Sequence, residues 1–149
     1  MREFKVRAWD KERKVMVYPD QIYPKGQYQI VLYDICANAN GLALQHFDTR
    51  TKYEHDGDQF SVPDWEDVES CFMQYTGIKD RNGREIYEGD ILEYKKLSFR
   101  DDGHERGFVE YNEYAEWSVN NWLLNRICRR AEVIGNRFEN PELLEEQNV

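Results

Sequence analysis

An Asn-Gly dipeptide at residues 82–83, set between two runs of β-forming residues, constrains this chain more than any other feature. Asn and Gly both tolerate positive φ, and the twist of a turn built on them matches that of paired strands. The dipeptide therefore predicts the two-residue tip of a β-hairpin. Tyr75, Thr76 and Ile78 lead into it, and Ile86, Tyr87, Ile91 and Leu92 lead out, with Gly89-Asp90 as a second bend before a further strand.

The rest of the chain follows the same grammar. Phe4, Val6 and Ala8 alternate with Lys5 and Arg7, the pattern of a half-buried strand, and Val15 to Tyr18 returns as its partner after the polar residues 10–14. Tyr28 to Cys36 is apolar enough for a central strand, and Leu42 to Phe47 reads as another. Residues 48–59 are charged and polar and read as a solvated loop, with His55-Asp56-Gly57-Asp58 as a plain turn; the closing bidentate Glu of a calcium loop is missing. Pro63 to Glu69 is either one helical turn capped by Asp64 or an acidic link into a strand starting near Ser70. Beyond the central hairpin come a strand over Asp90 to Tyr94, a polar excursion over Lys95 to Arg106, and two alternating runs, Gly107 to Tyr111 and Glu116 to Val119, turning around Asn112-Glu113. The spacing of Trp122, Leu123, Leu124 and Ile127 predicts one amphipathic helix over Asn120 to Arg130; Ala131 to Ile134 is a last strand and Pro141 to Leu144 a brief helix. No internal repeat stands out in the sequence.

Three stretches resemble one family. The run from Met73 to Ile91 resembles the signature of the YopX-like proteins of bacteriophages and prophages, mainly of Gram-positive bacteria; Phe4 to Asp10 resembles the family's opening and Glu132 to Leu144 its close. Residues 37–62 and 96–130 carry little of the match. The resemblance implies a mainly β fold of coiled sheets that includes a small SH3-like barrel, and it implies no activity. It places the whole chain, 1–149, in one YopX-like domain: a β lobe at about 1–72, the barrel portion at about 73–138 and a short tail at 139–149.

Composition narrows the function classes. The longest apolar runs are far too short for a membrane span, and the start Met1 to Lys5 lacks the apolar core of a secretory signal, so a cytoplasmic protein is expected; the resemblance implies that the cell is a bacterial host. The three cysteines, Cys36, Cys71 and Cys128, are odd in number and widely spaced, which predicts free thiols with neither disulfide nor zinc. Net charge is −9, and both halves are acidic, with 9 basic against 13 acidic residues over 1–74 and 11 against 16 over 75–149. Nucleic-acid binding draws on clustered Lys and Arg, so it is disfavoured unless folding gathers Arg7, Lys79, Arg81, Arg84, Lys95 and Lys96 into one face.

Neither Gly-x-x-x-x-Gly-Lys, His-Glu-x-x-His nor Gly-x-Ser-x-Gly occurs, and acidic pairs such as Asp56 with Asp58 are what a solvated acidic surface supplies. No catalytic, cofactor or metal residue is therefore assigned, and a non-catalytic interaction module is expected, one that by the resemblance binds a host or phage protein, or a second copy of itself. Its candidate surface is the hairpin with the first strand: Arg7, Trp9, Tyr75, Lys79, Asp80 and Tyr87, since Tyr, Trp and Arg concentrate binding energy. The same residues read structurally supply turn chemistry and solubility.

Overall fold

Polar side chains that close turns decide where the strands of this protein begin and end. The computed structural model describes residues 3–32, 41–48, 52–61, 64–96 and 103–145. Over these the chain is mainly β, as the sequence predicts. It forms two compact units: one takes the chain up to Arg7 together with everything from Met73 onward, the other runs from Ala8 to Phe72. The described residues up to Arg7 thus belong with the C-terminal half. The chain leaves one unit within strand β1 (Val6–Asp10) and returns to it within β8 (Ser70–Lys79).

The C-terminal unit is built on an antiparallel sheet ordered β13-β12-β11-β10-β14, from β10 (Asp90–Lys95), β11 (His104–Tyr111), β12 (Trp117–Val119), β13 (Trp122–Leu123) and β14 (Ala131–Asn136). The alternating inward residues Leu92, Tyr94, Val109, Val119 and Val133 bury their side chains with Ile86, Leu124, Ile127 and Ala131. β8 from Met73 onward pairs with β9 (Glu85–Tyr87), Tyr75 opposite Tyr87 and Lys79 opposite Glu85, with an irregularity between. Gly77 sits in that irregularity at φ +82, and the Thr76 hydroxyl fills the gap in the ladder by donating to the Ile86 carbonyl at 2.8 Å.

The hairpin lies where Asn82-Gly83 predicts, but its tip differs. Gly83 N–H donates to Asp80 O and Asp80 N–H to Arg84 O, and of the two turn residues only Gly83 has positive φ, at +80. This is a type I turn followed by a left-handed residue, a longer loop than the two-residue tip expected. The cause is Asp80, whose Oδ1 accepts the N–H groups of Asn82 at 2.8 Å and Arg84 at 2.9 Å and so selects the wider turn. The turn from Asn112 to Glu116 repeats the device with different residue types: Asn112 Oδ1 accepts from Tyr114 and Glu116, and Ala115 takes the left-handed place at φ 62.

In the unit from Ala8 to Phe72, β1 pairs with β2 (Val15–Val17), and β3 (Tyr28–Leu32), β4 (Leu42–Asp48) and β7 (Asp64–Val68) form a three-stranded antiparallel sheet. Ala8, Val17, Tyr28, Leu44 and Val68 form the core, with Ile22, Ile30 and Phe72 packed on it. Asp10 is fully buried; it accepts the N–H groups of Glu12 and Arg13, the Tyr28 hydroxyl at 2.8 Å and the Arg13 guanidinium. Burial opposes its ionisation, but these donors outweigh burial and hold its carboxyl below the ordinary value.

Several expectations are corrected. The loop expected over 48–59 contains a hairpin, β5 (Lys52–His55) and β6 (Asp58–Ser61), because Asp56 and Gly57 both take positive φ and make a type I′ turn. Residues 64–68 are a strand rather than a helical turn, since pairing with β4 gives their backbone its partners. Strands also reach into the expected polar excursion, to Lys95 on one side and from His104 on the other. The helix expected over 120–130 shrinks to α1 (Leu124–Ile127) and a 3₁₀ turn at Cys128–Arg130, because Trp122 and Leu123 pair with β12. The end of the strand drawn to Cys36 lies outside the described residues, and α2 (Glu142–Glu145) forms as expected.

Two measurements check the turn account. Gly83→Val should lower stability by about 1–3 kcal/mol and Ala115→Gly raise it by about 0.5–1 kcal/mol in chemical denaturation, since a β-branched residue resists positive φ while Gly relieves it. The stability that Asp10 supplies, its folded pKa being depressed, is present above its ordinary value of 3.8 and lost as pH falls through the lower folded value. Acid titration of Asp10→Asn should therefore show a shallower loss of stability below that pH than the parent.

Candidate functional site

Four of the six side chains expected at a binding surface lie inside the C-terminal unit. Arg7 is 1% exposed: its Nη1 stands 2.8 Å from Asp90 Oδ1, its Nη2 donates to Glu88 O, and its guanidinium stacks on the Tyr87 ring at 4.9 Å. Asp90 in turn accepts the Tyr87 N–H at 2.8 Å, closing the bend that follows β9. Burial lifts the Asp90 carboxyl above its ordinary value by more than Arg7 and the Tyr87 N–H lower it. Tyr75 and Tyr87 pack ring on ring at 5.5 Å and are both buried. Burial and then the nearby Glu85 push the Tyr87 hydroxyl up to about 12. Asp80 is buried and, beyond its own turn, accepts the Val133 N–H of β14 at 3.0 Å.

Arg7, Tyr75, Asp80 and Tyr87 therefore hold the hairpin, the first strand and the last strand together. Lys79 is exposed, and Trp9 is half-buried opposite Met16 in the other unit. The cations expected for nucleic acid are also dispersed in role, with Arg7 paired to buried Asp90 and Arg81 paired to Glu132 at 2.7 Å.

The site that sequence reading missed is in the unit from Ala8 to Phe72. Phe47 of β4 stands opposite Trp65 of β7, their rings 5.3 Å apart at 61°, and the Tyr23 ring meets Trp65 edge-on at 5.9 Å and 84°. Tyr23 is brought there by a compact loop after the 3₁₀ turn Pro19–Gln21. Tyr23 N–H donates to Tyr28 O and Phe47 N–H to Gln27 O, and Gly26 lies so close to the Gln21 backbone that a Cβ would overlap the Gln21 carbonyl oxygen. Only glycine fits that approach. The three rings with Gly26 and Gln27 line an open cleft of 310 Å³.

Strand register fixes what else shares this face. Alternation puts Gln29, Gln45 and Asp67 on the same side as Phe47 and Trp65. Gln29 Nε2 donates to Gln45 Oε1 at 2.6 Å, and Gln45 Nε2 donates to Asp67 Oδ1 at 2.8 Å, a polar ladder that ends on a carboxylate beside the aromatic cleft. The opposite face carries the core residues Tyr28, Leu44 and Val68. The available signal was the pairing of two aromatics, but their partner strand was read as a helical turn or link. A smaller cleft of 220 Å³ in the C-terminal unit is lined by Ile78, Ala115, Glu116, Trp117, Leu123 and Asn125.

Cys71 and Cys128 are free thiols, half-buried, and Cys36 lies outside the described residues. No helix among the described residues is long and apolar enough to cross a membrane.

Comparison with known proteins places this geometry. The family model for YopX protein matches residues 5–145, nearly the whole chain. Among solved structures, the chain is similar to protein EF1440 from Enterococcus faecalis, at 26% identity and a TM-score of 0.60, over 97% of this chain and 99% of that one. A search of curated proteins returned no match.

The buried pair has a testable signature. Arg7→Leu should cost about 3–5 kcal/mol, since it strands a buried carboxylate, whereas adding Asp90→Asn should recover part of that loss. A double-mutant cycle by denaturant unfolding measures the difference; additive losses would mean the two groups are not coupled. Lys79→Ala should leave the melting midpoint nearly unchanged.

Proposed function

The chain belongs to the YopX protein family, and on that premise we propose that it is a non-catalytic protein-interaction module. By the resemblance of its signature stretches it is encoded by a phage or prophage, acts in the cytoplasm of the bacterial host, and engages a host or phage protein or a second copy of itself. The observation that supports this reading is the open aromatic face of the β3-β4-β7 sheet, where Tyr23 is 64% exposed and its ring stands edge-on to Trp65. Aromatic rings left at a water-facing sheet surface bring large contact area at low entropic cost, which is why such residues dominate the centres of interfaces.

Affinity capture from phage-infected host cells, with nuclease treatment throughout, tests it. The parent should retain a partner that survives nuclease, and Trp65→Ala should lose that partner while keeping its β-sheet circular dichroism. A partner lost by Lys79→Ala and kept by Trp65→Ala would move the surface to the central hairpin. A partner released by nuclease would favour the nucleic-acid reading. Sedimentation of the purified chain reports self-association independently.

A further inference from the structure

The aromatic cleft and the carboxylate beside it suit one kind of occupant, and the inference rests on the interaction reading above. We propose that the outer face of the β3-β4-β7 sheet recognises a cationic side chain, arginine or lysine, on a basic segment of the partner. The rings of Trp65, Phe47 and Tyr23 receive the charged head, and Asp67 accepts its N–H groups.

Three features of the face carry this. The ring arrangement comes first: Trp65 is met at 84° by Tyr23 and at 61° by Phe47, and all three rings line the cleft. The negative quadrupole of ring faces attracts cations, most strongly for Trp. Spacing is the second. Trp65 and Asp67 are two residues apart on one strand face, roughly 7 Å between Cα atoms, within the span of a guanidinium that stacks on one and hydrogen-bonds the other.

The third is charge. The unit that carries the cleft, residues 8–72, holds 12 acidic and 6 basic residues, so a basic segment is drawn to it before any contact forms. Asp67 accepts from Gln45, which orients its carboxylate on this face. An apolar occupant would desolvate the carboxylate and the Gln45 amide without replacing their water, and a nucleic acid would set phosphates beside Asp67.

The test uses the full chain and a synthetic heptapeptide of alternating Gly and Arg, with three controls: the same peptide with citrulline for Arg, the same with norleucine, and a ten-residue oligothymidylate. Calorimetry measures affinity, and the Trp65 indole N–H resonance, assigned by its absence in Trp65→Leu, reports the place. The Arg peptide should bind and shift that resonance, with the citrulline peptide about tenfold weaker or more. Trp65→Leu, which keeps an apolar side chain but removes the ring, and Asp67→Asn should each weaken the Arg peptide severalfold, and Lys79→Ala should not.

Equal binding of citrulline or norleucine peptide overturns the proposal in favour of an apolar cleft, and oligothymidylate binding that shifts the same resonance overturns it in favour of nucleic acid. Arg-peptide binding insensitive to Trp65→Leu overturns it as general attraction to an acidic surface. Failure of the Arg peptide to bind, with partner capture still dependent on Trp65, overturns the cation specificity and leaves the interaction module standing. Capture independent of Trp65 removes that reading from this face whatever the peptides do.

Discussion

The C-terminal unit depends on one buried carboxylate that accepts three backbone N–H groups. Asp80 satisfies Asn82 and Arg84 within its own turn and Val133 on β14, a strand more than fifty residues away in sequence. Arg81 N–H donating to Ala131 O sets the same strand against the same turn. Buried backbone donors must find partners, and a residue that supplies an acceptor at a turn and another at a neighbouring strand fixes both with one side chain. The hairpin is therefore the scaffold on which the sheet closes, which accounts for the density of turn chemistry around Asn82-Gly83.

A second consequence follows from burying ionised groups. Arg7 and Asp90 are each almost fully enclosed, and the cost of taking them from water is offset in part by their mutual attraction, by bonds to Glu88 O and from the Tyr87 N–H, and by stacking on the Tyr87 ring. This pair ties the N-terminal segment to the hairpin, alongside Lys5 O accepting from Tyr75 N–H and Lys5 Nζ bonding Glu85 at 2.6 Å. The described residues up to Arg7 thereby join the C-terminal unit. Arg and Tyr here are committed to the interior, so the residue types that mark interfaces elsewhere mark a structural joint in this protein.

The other unit uses its aromatics differently. Its three-stranded sheet has one face in the core and one in water, the ordinary condition of an antiparallel sheet. The water-facing side carries Phe47, Trp65 and the approaching Tyr23 where polar residues are usual, next to the Gln29-Gln45-Asp67 ladder. A local cluster of rings beside an ordered carboxylate is a different object from an exposed aromatic standing alone, such as Tyr114 on its turn.

How much of this was legible in the amino-acid order depends on the range of the forces involved. Alternation of apolar and polar residues acts within a strand, so the mainly β class and the approximate places of the first hairpin and of β3, β4, β10, β11 and β14 could be read directly. Turn propensity is local too, and it placed the central hairpin; it did not set the turn type, because Asp80 competes for the backbone donors that a two-residue tip would leave paired across the strands. Asp56-Gly57 carried a signal for a type I′ turn that the surrounding charge obscured. What sequence could not supply is burial and partnership across the chain. Arg7, Tyr75, Asp80 and Tyr87 look in isolation like surface binders, and only the tertiary fold encloses them. Phe47, Trp65 and Tyr23 lie in three separate segments, and only strand register brings them to one face. Propensity and periodicity are properties of neighbours in the chain, whereas enclosure of a charge and assembly of a cleft are set by which distant strands pair, and that is decided by the folded whole.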